Sequence, residues 1–223
     1  MKAILLVLAK NDKYPYTKAI EEIRNSYFSV ESPNIVEKLF YIGGSVEFVK
    51  DKDILHCNVE DNLINIINKT HIAFKYVYQN YDFDYIIRAN SGSYVNIENL
   101  CNLLSTAPKS NLYGGVIGNA ELGRFVSGSM YVLSKDLVEK FVLDDLYCKV
   151  PYMYSYTDDV SLSRYFLDNN IELTEHKYRQ DLFSYACESA FLENLDKTKC
   201  QYYFRTQNYR FFSKIHNILN RKN

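Results

Sequence analysis

The stretch YDFDYIIRANSGSYVN, residues 81–96, decides how the rest of the chain is read. At its centre the apolar run DYIIRAN reads as a strand bounded by polar clusters. It opens on an Asp-x-Asp pair, Asp82 and Asp84, of the kind that can hold a divalent metal, and closes on the uncharged triplet Asn90-Ser91-Gly92. In open α/β sheets the ligand crevice lies beyond the carboxyl ends of the strands. Five or six strand residues at about 3.3 Å each separate the two acids from that crevice by roughly 15–20 Å. Asp82 and Asp84 are therefore expected at the solvent-side start of a strand, and the uncharged triplet at its functional end.

That reading requires the elements around it to form an α/β sheet. AILLVLA (3–9) is a short continuous apolar run, which fits a strand buried on both faces of a parallel sheet. Residues 16–28 place Ile20, Ile23 and Tyr27 at helical spacing opposite a charged face. LFYIGG (39–44) and DILHCNV (53–59) read as strands, and 62–81 as a helix with a stripe of Leu63, Ile66, Ile67, Phe74, Val77 and Tyr78. After the strand at 84–89 come a helix around NIENLCNLL, a glycine-bearing strand NLYGGVIG, and GSMYVLS leading into the helix KDLVEKFV. A Tyr-rich loop, the helix VSLSRYFLDNN and a last strand near IELTEHKY follow. Strand-helix alternation of this kind predicts the α/β class.

Bulk properties narrow the function. With 223 residues, 47% of them hydrophobic, the chain suffices for one sizeable core, and its scattered prolines and glycines provide no linker. A net charge of −1 offers no global field for nucleic acid, so no nucleic-acid partner is expected. The cysteines at 57, 101, 148, 187 and 200 are odd in number, widely spaced and free of C-x-x-C, which argues against a disulfide framework or a zinc cage. The apolar run in MKAILLVLAKNDK is far shorter than a membrane span and reads as a buried strand rather than a signal peptide, so a cytoplasmic location is the expectation. Residues 199–223 interleave basic residues with aromatics and contain no acid. They are expected to form an amphipathic helix or tail packed on the domain of residues 1–198, with peripheral membrane contact as the competing use.

The order of local motifs resembles the GT-A glycosyltransferases of the beta-1,3-galactosyltransferase and Fringe type. That family reads an Asn-Leu-x-x-Lys-Thr helix, an apolar strand ending in an acidic triplet before Val-Phe-Val-Asn, a Gly-Gly strand, a Ser-Gly-x-x-Tyr-Val-Leu-Ser segment and a Glu-Asp-Val helix start. Its counterparts here are Asn68, Lys69 and Thr70; Tyr94, Val95 and Asn96; Gly114 and Gly115; Ser127, Gly128, Tyr131 and Ser134; and Asp158, Asp159 and Val160. The match spans roughly residues 55–175. It implies a GT-A (Rossmann-like) mixed, mostly parallel sheet flanked by helices, and an enzyme that moves a hexosyl group from a nucleotide sugar, a UDP-sugar foremost, to a glycan acceptor.

The resemblance also assigns expected roles. Asp158 and Asp159, at a helix N-terminus, are the candidates for the single base that inverting transfer requires. Lys69, Arg88, Asn90, Ser91, Ser127, Gly128 and Ser129 are candidates for donor binding, and His176, Lys177 and Arg179 for the diphosphate. One departure stands out: the acidic triplet that anchors metal in the family aligns with Asn90, Ser91 and Gly92. A divalent cation prefers anionic oxygens. No obligatory cofactor is therefore expected, and Mn²⁺ or Mg²⁺ would lack its usual carboxylate anchor. Two other classes stay open: a catalytically degenerate GT-A domain that binds a nucleotide, a glycan or a partner, and a nucleotidyltransferase. The latter is disfavoured by the lack of metal-binding carboxylates at a strand end.

Overall fold

The computed structural model describes residues 1–10, 14–144, 157–176, 179–181, 195, 203–206 and 209–220. Most of the Tyr-rich loop, Lys177 and part of the basic tail lie outside them. In chain order the elements are β1 (Ala3–Leu8), α1 (Tyr16–Arg24), β2 (Ile35–Ile42), β3 (Val49–Asp51), β4 (Ile54–His56), α2 (Ile66–Asn80), β5 (Tyr85–Asn90), β6 (Ser93–Val95) and α3 (Ile97–Ser105). Then come β7 (Tyr113–Ala120), β8 (Gly123–Ser134), α4 (Lys135–Leu143), α5 (Asp158–Asp168), β9 (Leu173–Glu175), β10 (Arg179–Asp181) and β11 (Tyr203–Arg205). A 3-10 turn at Tyr209–Phe211 leads into α6 (Phe212–Leu219).

Eight strands form one mixed sheet in the order β3-β4-β2-β1-β5-β8-β7-β9. β4, β2, β1 and β5 run parallel, β8 runs against both β5 and β7, and β9 again follows β7 in parallel. A second, three-stranded sheet joins β10, β11 and β6. Alternation along the central strands explains the layering. In β1, Leu5 and Val7 face a core shared with Ile20 and Ile23 of α1, Leu100 of α3, and Phe212 and Ile215 of α6. Ile4 and Leu6 face the opposite core, with Phe74 and Val77 of α2, Phe141 of α4 and Phe166 of α5. Burial on both faces is what the unbroken apolar run AILLVLA requires.

Several boundaries differ from the periodicity reading, each for a local reason. α1 ends at Arg24 rather than at residue 28, because Ser26 N–H bonds back to Ile23 C=O and the Ser26 hydroxyl donates to Glu22 C=O, tightening the last turn. Tyr27 is still fully buried, beyond the helix. α2 starts at Ile66: Asn62 Oδ1 accepts the N–H of Asn65, three residues on, at 2.9 Å, a local side-chain bond that shapes the turn before the helix, where Leu63 is exposed. β3, with all three residues exposed, carries no hydrophobic signal.

The tail is part of the same packing. β11 pairs antiparallel with β6, and Phe212 stacks edge-on against Tyr27 and Tyr94 inside the first core. Among the described residues no helix is long and apolar enough to cross a membrane. Cys57 and Cys101 are buried and unbridged, and burial pushes the Cys57 thiol up to about 12.

Candidate active site

From β1 the chain passes through α1 to β2 on one side, whereas β5 joins β1 on the other side after α2. Strand order thus reverses between β1 and β5, the place where an open α/β sheet leaves a crevice at its carboxyl edge. A cleft of about 490 Å³ occupies that place. Leu8, Ala9 and Lys10 follow β1 into it, and Asn90, Ser91 and Gly92 end β5 on its floor. Tyr16 and Ala19 come from α1, Asp61 and Asn62 from the segment before α2, Lys69 from the first turns of α2, and Arg205 and Tyr209 from the C-terminal segment.

The floor is an Asx turn. Asn90 Oδ1 accepts from the Gly92 N–H and the Ser93 hydroxyl, both at 3.0 Å. Its amide Nδ2 and the Ser91 hydroxyl have no partner among the described residues, so both are available to a ribose or sugar hydroxyl. Lys69, a candidate for donor binding, also lines the cleft, with its charge matched by Asp61 at 2.5 Å in a pair shielded from solvent.

The two adjacent acids at the start of α5 are set to different tasks. Asp158 is buried and grips Arg88 Nη2 at 2.7 Å. Arg88 also donates through Nε to the Tyr41 hydroxyl at 2.9 Å and through Nη1 to the Gly128 carbonyl, and its guanidinium lies 5.3 Å from the Tyr131 ring centre. Burial pushes the Asp158 carboxyl up, against the downward pull of Arg88. Arg88, expected at the donor, is therefore corrected: it is 1% exposed, does not line the cleft, and ties α5 to β5, β2 and β8.

Asp159 is only half-buried. Its Oδ2 accepts the Gly128 N–H at 2.8 Å and its Oδ1 the Val160 N–H at 3.0 Å. A Cβ at Gly128 would stand 3.0 Å from both Arg88 Nη1 and Asp159 Oδ2, so the Ser-Gly-x-x-Tyr motif needs its glycine for close approach.

Ser127, Gly128 and Ser129 are not cleft-lining residues; they form a second polar cluster on β8. Arg179 Nη1 stands 3.4 Å from both serine hydroxyls, and Tyr203 bonds Ser129 Oγ at 3.1 Å. Arg179, expected at the diphosphate, instead binds Asp181 at 2.8 Å through Nη2. Ser93 links cluster and cleft, since its hydroxyl bonds both Asn90 Oδ1 and the Ser129 carbonyl. A continuous path of contacts, Asn90 to Ser93 to Ser129 and its neighbour Gly128, runs from the cleft floor to Asp159.

His176 donates its N–H to Gly115 C=O, and its ring fills the space above Gly114, where a Cβ would come within 2.4 Å of Nε2. Burial holds its pKa below the ordinary value, as it does for His71 and His216. Lys177 lies outside the described residues. The depressed histidines give a pH prediction. The unfolded chain takes up protons near pH 6.5 while the folded one resists, so stability is present above that pH and lost as pH falls below it. The melting temperature should drop between about pH 7.5 and 5.5, and His71→Leu, which removes a buried ring whose Nε2 has no partner, should flatten the drop. A slope unchanged in that variant would exclude His71 as a source.

Asp82 and Asp84 stand at the amino edge of β5, as expected, bound by Lys2, Lys135, Lys109 and the N-terminus. At its carboxyl edge the described residues do not suit a divalent cation. Asn90 Oδ1 is engaged within its turn, Gly92 has no side chain, and the acid among the described cleft residues, Asp61, is bound to Lys69.

No family model matches the sequence. Among solved structures the chain is similar to the galactosyltransferase LgtC, determined in complex with donor and acceptor sugar analogues, with a TM-score of 0.51 and 10% identity. The alignment covers 99% of this chain and 97% of that one. At that identity the likeness establishes the fold: a single-domain, GT-A (Rossmann-like) mixed and mostly parallel sheet flanked by helices.

Proposed function

We propose that this chain transfers a hexosyl group from a nucleotide sugar, a UDP-sugar foremost, to a glycan acceptor, with inversion and without a strictly required metal. The observation that carries the reading is the cleft at the β1/β5 reversal of a GT-A sheet. Its floor offers Asn90 and Ser91 to the donor, and a short hydrogen-bonded path joins it to the half-buried Asp159.

Inverting transfer needs one carboxylate and a stabilised leaving group. In this reading Asp159 takes the proton of the acceptor hydroxyl, the acceptor oxygen bonds to the anomeric carbon, and the bond to the diphosphate breaks with its electron pair on the departing oxygen. Each Asp159 oxygen accepts one backbone N–H and retains a second lone pair for that proton. The two N–H groups orient the carboxylate. Asp158, locked to Arg88, serves as the tether that sets the start of α5. A second reading, binding without turnover, draws on the same two N–H contacts as purely structural capping of α5.

Thermal shift with UDP-, GDP- and dTDP-sugars, each in Mn²⁺ and in EDTA, tests the proposal. One donor is expected to stabilise the chain equally in both conditions. Stabilisation confined to Mn²⁺ would defeat metal independence, and no shift with any donor would defeat the donor site itself.

A further inference from the structure

We infer that Ser163 is a positioning residue for transfer: its hydroxyl, one turn after Asp159 on α5, fixes the base against β7 and β8. The inference rests on the reading of Asp159 as the base and adds a residue that the motif pattern does not reach.

Three observations converge. The first is that the hydroxyl is saturated. A serine hydroxyl has one proton and two lone pairs. Ser163 Oγ donates to the Asp159 carbonyl at 2.7 Å and accepts the Val126 N–H of β8 at 2.9 Å. With its proton committed, it accepts from the Tyr113 hydroxyl of β7, 3.0 Å away. Ser163, Tyr113 and Val126 are all fully buried, so a group stranded there has no solvent to turn to. A serine that only bonds back along its own helix would need neither strand.

The second is that β8 is deformed to meet α5. In the β7–β8 ladder Gly115 pairs with Tyr131 and Ile117 with Val126, so Val116 alone stands against the run Ser127–Met130. A bulge of this kind re-aims the backbone. Val126 N–H reaches Ser163 at its start, and Gly128 N–H reaches Asp159 Oδ2 at 2.8 Å within it. Gly115 makes room for the bulge, since a Cβ there would come within 2.5 Å of Val126 Cγ1 and 3.0 Å of the Met130 carbonyl.

The third is that main chain and side chain of Asp159 are held separately, the carbonyl by Ser163 and the carboxylate by the Gly128 and Val160 N–H groups. The carboxylate contacts set its orientation, and the Ser163 bond ties the turn that carries it to the sheet. Such a hold matters because a displacement of about 1 Å at a reacting group can cost roughly 10²-fold in rate.

The test compares Ser163→Ala and Ser163→Thr with Leu100→Ala, which opens a cavity in the opposite core and controls for stability alone. Turnover is read as nucleoside diphosphate released from whichever UDP-, GDP- or dTDP-sugar stabilises the chain most, and the Gly128 amide is followed by hydrogen exchange. Ser163→Ala should lower kcat roughly 10- to 100-fold with donor KM unchanged, and should speed Gly128 exchange relative to the amides of β1. Ser163→Thr, whose hydroxyl can make the same bond back along the helix, should recover most of kcat. Leu100→Ala should lower the unfolding midpoint and leave both readouts in place. If Ser163→Ala fails to fold, Ser163→Cys, which keeps the shape but donates weakly, carries the comparison. An unchanged kcat or Gly128 exchange rate in the Ser163 variant, a rise in donor KM in place of the fall in kcat, or an equal loss in Leu100→Ala would overturn the assignment of Ser163 and leave Asp159 in its role. Wild type that releases no nucleoside diphosphate, or Asp159→Asn with unchanged turnover, would overturn the reading of the base and this inference together.

Discussion

Replacement of Arg88 by methionine is expected to destabilise the fold by about 3–5 kcal/mol, the cost of leaving a buried charge without its partner. Arg88 and Asp158 are nearly inaccessible to solvent, and the guanidinium also satisfies the Tyr41 hydroxyl and the Gly128 carbonyl. Removing it strands groups on α5, β2 and β8 together. The double variant Arg88→Met/Asp158→Leu should recover a good part of the loss, since a buried ion pair is worth little more than a well-packed apolar pair, whereas half of one is costly. Urea midpoints at constant m-value measure both effects. A single variant within about 0.5 kcal/mol of wild type, the range of ordinary surface changes, would contradict the tether.

Asp159→Asn is expected to keep the donor and to lower transfer by roughly 10²- to 10⁴-fold, the usual share of general-base catalysis. The amide oxygen can still accept one of the two backbone N–H groups, so α5 should remain folded, while the ability to take a proton is gone. Asp158→Asn should behave differently, with its loss read first as a lower unfolding midpoint, because Asp158 is buried against Arg88 whereas Asp159 is half-buried. Donor-dependent release of nucleoside diphosphate at saturating donor separates the two. Unchanged turnover in Asp159→Asn would remove Asp159 from the role and favour binding without transfer.

The parts legible in the sequence were those written in local periodicity. AILLVLA and DYIIRA are buried on both faces because each fits a central parallel strand, and the helix stripes of α2 and α3 need no tertiary knowledge. The placement of Asp82 and Asp84 followed from strand length alone and agrees with their lysine partners. Arg88 was misread because a basic residue near a functional strand end looks the same in sequence whether its side chain enters the cleft or the core. On β5 the residue two positions later lines the cleft, while Arg88 itself meets Asp158, 70 residues away. Arg205 was missed for a related reason. The pairing of β11 with β6 joins segments more than a hundred residues apart through two three-residue strands, too short to carry a pattern. Lys10, directly after the first apolar run, was the cleft cation that strand-end logic alone could have found.

The central claim is a donor site whose positive charge comes from side chains. Calorimetric titration of the wild-type chain with the nucleoside diphosphate of its best donor, in EDTA and again in Mn²⁺, measures it most directly. The account predicts the same dissociation constant in both buffers; binding that appears only with Mn²⁺ would contradict it.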